Sequence, residues 1–164
     1  MEAEILIGGT MLDSILVGGA TSLVNLIIHA VLLAGVAWTV RRVSVSDSFA
    51  PHVLQYSLVI VSTGTLLVAG HFAEVVVWAH AYDLAGAAPP GTDLIYFAFG
   101  NYTTLGYGDV LPLPHWHLLG PMTALNGIML IGWSTALIIE ILRRSGHAPA
   151  QDPKVVMPAK AGIQ

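Results

Sequence analysis

The stretch Thr103-Thr104-Leu105-Gly106-Tyr107-Gly108-Asp109 decides how this chain is read. Two glycines alternate with larger residues, and glycine reaches backbone regions closed to other residues. A segment built this way can turn successive carbonyls toward one axis. Directly before it, residues 93–102 are apolar but few. A helix rises about 1.5 Å per residue, so this one reaches about 15 Å, half of a hydrocarbon core of about 30 Å. Gly91-Thr92 precedes it, with Thr92 as the expected N-cap. A helix that enters a bilayer and cannot cross must return. Such backbone survives at membrane depth only where protein buries it or water lines it.

Working outward, the short helix and its loop lie among long apolar segments at 15–40, 53–78 and 118–142. Each exceeds the roughly 20 residues needed to span a bilayer. Hydrocarbon offers the backbone no hydrogen bonds, so all three are expected to be helices. Composition agrees. The 164 residues are 55% apolar and 10% charged, against about 25% charged in soluble domains. Mean hydropathy is +0.73. There is no cysteine, which excludes disulfides and cysteine chemistry. No basic patch suits nucleic acid. The start, Met1-Glu2-Ala3-Glu4, is acidic, so no cleavable signal is expected.

The basic residues give an independent test. All six (Arg41, Arg42, Arg143, Arg144, Lys154 and Lys160) follow the first or the third span. The positive-inside rule then puts the N-terminus outside and the C-terminus inside. Residues 79–117 fall outside, so the short helix and the glycine segment dip in from that face. Trp78, Tyr82, Tyr96 and Trp116 are expected near the outer interface, where aromatic belts form. No span carries the repeated arginines of a voltage sensor.

At this point 103–109 resembles the selectivity filter of the potassium channel superfamily, in which Thr-Val-Gly-Tyr-Gly is the common core and Leu105 takes the valine position. The likeness is to small prokaryotic ion channels with a two-transmembrane pore module, here preceded by one extra helix. It covers roughly 53–142. The resemblance implies an all-α membrane protein with three transmembrane helices, a re-entrant pore helix and a filter loop, assembled as a tetramer. It implies that Thr104, Leu105, Gly106, Tyr107 and Gly108 hold dehydrated K+ with backbone carbonyls in place of its water shell. The Thr104 hydroxyl adds an oxygen at the inner mouth, and Tyr107 points away from the axis. Thr103, Asp109 and Tyr96 support the filter. The negative end of the short helix's dipole faces an ion at the bilayer centre. Gly127 and Gly132 stand where such channels bend the inner helix, with close helix packing as the other reading. Thr135 would face the pore below them.

This chain also departs from the pattern. Tyr96-Phe97 stands where many bacterial relatives have paired tryptophans, and Gly100 where many have a glutamate. That glutamate partners the aspartate after the filter, so Asp109 needs another partner, and the Tyr96 hydroxyl is the candidate.

The expected organisation is 1–52, an N-terminal transmembrane helix and cytoplasmic loop; 53–142, the pore module; and 143–164, a disordered cytoplasmic tail. The expected function is a potassium-selective channel subunit, not an enzyme, in the inner membrane of a prokaryote. Its partners would be K+, the lipid bilayer and three further copies in a homotetramer, with no nucleic acid and no cofactor. The alternative is a weakly selective cation channel or a membrane sensor that keeps the pore scaffold. Further ionisable residues in the spans are functional candidates by default. Glu74 is expected at the wet outer interface, or bracing the back of the filter. His71, Glu74 and His80 form a remote metalloenzyme alternative, though their spacing is not that of the zinc proteases, and no structural metal site is expected. Asn25 and His29 share one face of the first span and are expected to hydrogen-bond to a neighbouring helix. His115 and His117 flank Trp116 in the outer loop as candidate pH sensors.

Overall fold

Long apolar runs without a helix-breaking proline fold here as helices, and the polar residues among them select which faces meet. The computed structural model describes residues 2–44 and 52–146. Helix α1 is Glu2–Ser44, α2 is His52–Leu84, α3 is the nine-residue Leu94–Tyr102, and α4 is Leu119–Gly146. A short 3-10 turn, Pro114–Trp116, leads into α4. All the described regular structure is helical. Three segments are long and apolar enough to cross a membrane: Met11–Arg42, Tyr56–Leu84 and Pro114–Arg143. The chain is therefore a multi-pass membrane protein. The cytoplasmic loop expected after Arg42 falls largely, and the tail beyond Gly146 wholly, outside the described residues.

The packing is the reverse of a soluble bundle. Leu16, Ile27, Val31, Val61, Val68, Leu125 and Ile128 face outward. Ser14, Thr21, Asn25, His29, Glu74, Thr123, Asn126 and Ser134 are buried between helices. Apolar surface gains nothing by leaving lipid, so close packing and interhelical hydrogen bonds hold such a bundle together. Helix α1 lies along both α2 and α4, and α3 is wedged between α2 and α4. At the end that holds α3, Val75, Trp78, Tyr82, Phe97, Tyr102 and Leu119 pack as one cluster. At the far end Val36, Val59, Leu67 and Ile141 form a second. There the Arg42 guanidinium sits 5.0 Å over the Trp38 ring.

One close approach requires glycine: a Cβ on Gly127 would collide with the Tyr102 carbonyl at the end of α3, whereas one on Gly18 or Gly70 would meet the side-chain ends of Met122 or Leu32. Helix α4 thus passes directly beneath the end of the short helix.

Three expectations change. The N-cap of α3 is Asp93 rather than Thr92: its carboxylate accepts from Ile95 N and Tyr96 N, both at 3.1 Å. Aspartate offers two acceptor oxygens at this position, so it outcompetes the neighbouring threonine. Trp78 and Tyr82 are not interfacial anchors but are fully buried. Helix α2 continues to Leu84, so both rings fall within the bundle, against α3 and α4. Trp116 is partly buried against the same cluster.

Candidate functional site

The loop after α3 begins where that helix runs out of acceptors. Thr103 N donates to Phe99 O at 3.0 Å, Thr104 N to Asn101 O at 3.1 Å, Leu105 N to Gly100 O at 3.0 Å and Gly106 N to Gly100 O at 3.3 Å. Four successive amides are thus satisfied by the last turn of α3. No hydrogen bond among the described residues ends on a carbonyl of 104–108. Those oxygens are left to something else. Positive φ recurs at every second residue: Thr104 at 59°, Gly106 at 50° and Gly108 at 77°. Backbone that alternates in handedness aligns successive peptide dipoles. Leu105 and Tyr107 lie between these positions and are exposed, 54% and 71%. One chain therefore leaves their side chains uncovered.

Asp109 closes the loop. Tyr96 Oη donates to Asp109 Oδ2 at 2.9 Å, and Val110 N donates to Oδ1 at 3.1 Å. The structure thus joins Tyr96 to Asp109, as the sequence suggested. This hydrogen bond raises the Tyr96 phenol above its ordinary range. Thr103 Oγ1 donates to Phe99 O at 2.8 Å. Gly100 has open space where a side chain would stand. It borders a cleft of about 470 Å³ shared with Asn101, Thr104, Gly106, His117 and Gly120. His115 lies 3.8 Å from Asp13, and its carbonyl accepts from Ser14 Oγ at 3.4 Å, so it belongs to the α1 contact.

Behind α3 lies a cluster built from all four helices. Glu74 is not at a wet interface. It is fully buried, because α2 continues ten residues beyond it, about 15 Å of helix. His29 Nδ1 lies 2.8 Å from Glu74 Oε1, and His71 Nδ1 lies 2.9 Å from Oε2. Tyr102 Oη donates to Oε2 and stands 2.9 Å from His71 Nδ1. His71 Nε2 is 3.0 Å from Ser134 Oγ on α4. Beside it, Asn25 Nδ2 donates to the Glu74 carbonyl at 3.2 Å and to Asn126 Oδ1 at 3.1 Å. Asn126 Oδ1 also accepts from Trp78 Nε1 at 2.9 Å. Asn25 Oδ1, His29 Nε2 and Asn126 Nδ2 are buried with no hydrogen-bond partner among the described residues.

His80 is not part of this cluster. Six residues beyond Glu74 it has turned about 240° around the helix, and its Nδ1 lies 2.9 Å from its own Val76 carbonyl. The trio His71, Glu74 and His80 does not assemble, and His29 of α1 takes the third place. Asn126 and Ser134 escaped the sequence reading. Their signal was present, as polar residues in an otherwise apolar span. Gly127 is held by the close approach to Tyr102, whereas Gly132 faces open space. Thr135 Oγ1 donates to Ile131 O of its own helix at 2.9 Å.

Residues 70–144 match the family model described as ion channel. This segment is similar to an ion-channel pore module of the potassium-channel type. The module takes in most of the second half of α2, all of α3, the glycine loop and nearly all of α4. Helix α1 lies outside it, although His29 of α1 reaches Glu74 within it. No curated protein matches the chain, and no solved structure does.

Proposed function

We propose that the chain is one subunit of a homotetrameric potassium channel whose filter is Thr104, Leu105, Gly106, Tyr107 and Gly108. One observation carries this reading. The amides of 103–106 are spent on α3, while the carbonyls of 104–108 accept no hydrogen bond among the described residues and φ alternates in sign. Four such loops around an axis supply the rings of oxygens that replace the water of K+. The exposed Tyr107 and Leu105 of one chain fit a site completed by neighbouring copies. A closed four-fold ring of head-to-tail contacts would supply that cover.

In this arrangement α3 is a pore helix that enters from the outer face. Arg41 and Arg42 in the last turn of α1, and the arginines in the last turns of α4, support a cytoplasmic C-terminal end for each of those helices. The membrane would be the inner membrane of a prokaryote. Thr103, Asp109 and Tyr96 hold the filter from behind, with K+ as the substrate.

The test is cation uptake into liposomes holding the purified protein, comparing potassium, rubidium and sodium, with Gly106→Ala as the control. Uptake of potassium and rubidium over sodium, lost in the variant, is the expected result. Equal sodium uptake would replace this reading with a weakly selective cation channel. Cross-linking in native membranes is expected to stop at four copies, and a dimer would overturn the assembly.

A further inference from the structure

The pore module accounts for the glycine loop, but not for a carboxylate buried between helices with only two imidazoles as ion-pair partners among the described residues. We propose that His29, His71 and Glu74, with Tyr102 Oη as fourth ligand, form a Zn2+-class metal site that ties α1 to the pore module. The site goes beyond ion conduction and uses none of the filter residues.

Donor geometry is the first argument. One ligand atom from each of His29, His71 and Glu74 lies within 4.8 Å of the others. The measured neighbours are closer still: 2.8 Å for His29 to Glu74 and 2.9 Å for His71 to Glu74 and to Tyr102. Ligands of a tetrahedral zinc with bonds of about 2.0–2.1 Å stand about 3.3 Å apart. Donors now 2.8–2.9 Å apart would part by about 0.5 Å to admit the ion.

Ligand chemistry is the second. Two imidazoles with carboxylate and phenol oxygens suit zinc and its neighbours in the transition series, not calcium or magnesium. Ser134 Oγ, 3.0 Å from His71 Nε2, is the kind of outer partner that fixes a ligating imidazole and leaves its other nitrogen for the metal.

Charge is the third. A carboxylate removed from water among apolar helices needs a compensating charge. The chain's lysines and arginines all follow the first or third span. A divalent cation compensates Glu74 where it stands. Binding would require the ligating imidazole nitrogens to be free of protons.

Position gives the site its consequence. Tyr102 is the last residue of α3, directly before Thr103, and His29 belongs to the helix that lies outside the family match. A metal here would fasten the extra helix to the base on which the filter loop stands.

The test uses the full-length protein in detergent. It is stripped with a chelator, equilibrated with Zn2+ and freed of loose metal, and its zinc content is then measured. Co2+ in place of Zn2+ reports geometry through its visible absorption. The expected result is one tightly held zinc per chain and a tetrahedral Co2+ spectrum. Glu74→Gln and His29→Ala should both lose the metal, whereas His80→Ala should keep it. Ser134→Ala should bind about 10–100-fold more weakly while the ligands stay in place. If His29→Ala fails to fold, the wild-type Co2+ spectrum and the Ser134→Ala affinity still decide. A wild-type protein that retains no zinc, or zinc retained equally by Glu74→Gln, overturns the proposal. Metal content is read without any flux, so failure here is distinct from failure of the potassium reading, which Gly106→Ala tests.

Discussion

The two faces of α3's C-terminal end are built on opposite principles. On one side the loop 103–108 is a backbone device: the amides of 103–106 donate to α3, the carbonyls of 104–108 accept no hydrogen bond among the described residues, and the side chains of Leu105 and Tyr107 are exposed. On the other side the cluster around Glu74 is a side-chain device formed within one chain, with His29, Glu74 and Tyr102 fully buried and His71 partly so. In the proposed tetramer neighbouring copies cover the first, whereas the second is gathered from the helices of a single copy. On that reading one chain folds the mount of the loop, and assembly would complete the loop itself.

Substitutions separate these roles. The largest effect on conduction is expected for Gly106→Ala. A left-handed backbone costs a residue with Cβ about 1–2 kcal/mol, and four subunits repeat the cost around one axis. Selective rubidium uptake should vanish while the helical circular dichroism stays unchanged. The largest effect on folding is expected for Glu74→Ala. It strands His29, His71 and Tyr102 in the interior, and breaking a buried pair costs about 3–5 kcal/mol. Thermal unfolding in detergent should show a large loss. An unchanged transition would mean that the cluster is not the mount.

Gly127→Ala should act between the two faces. The added Cβ meets the Tyr102 carbonyl, and such overpacking costs about 1–3 kcal/mol. Gly132→Ala faces open space and should leave stability unchanged. If Gly132→Ala instead alters conduction alone, it is a hinge rather than a packing position.

The smallest effect is expected for Tyr96→Phe, because the Tyr96–Asp109 contact is exposed. The variant should fold normally and differ in how long the filter stays conductive. The phenol's affinity for its proton is raised in the folded protein, chiefly by the hydrogen bond to Asp109. The contact's contribution is therefore fully present below the ordinary phenol value of 10.0 and is lost as pH rises above it. Wild-type and Tyr96→Phe filters should converge in strongly alkaline medium and differ at neutral pH.

Several of these elements were legible in the chain. Three long spans and a helix too short to cross follow from apolar length alone, and the helices observed differ from the expected spans mainly at their ends. The Tyr96–Asp109 contact followed from a missing glutamate at Gly100. The polar cluster was legible only in part. Asn25 with His29, and His71 with Glu74, showed themselves as one-face pairs at helical spacing. Nothing in the spacing said that the two pairs meet, since they lie on separate helices and are joined by packing angle and depth.

The sequence by itself determined what the bilayer dictates locally: apolar length makes spans, and alternating glycines permit the loop's backbone. These depend on near neighbours in the chain and on the solvent. Only the tertiary structure decided that Glu74 is dry, that Trp78 and Tyr82 are core residues, and that His29 rather than His80 completes the cluster. Burial and donor distance depend on which helix faces come together and how closely. Gly127 sets one such approach, and periodicity along a single helix carries no record of it.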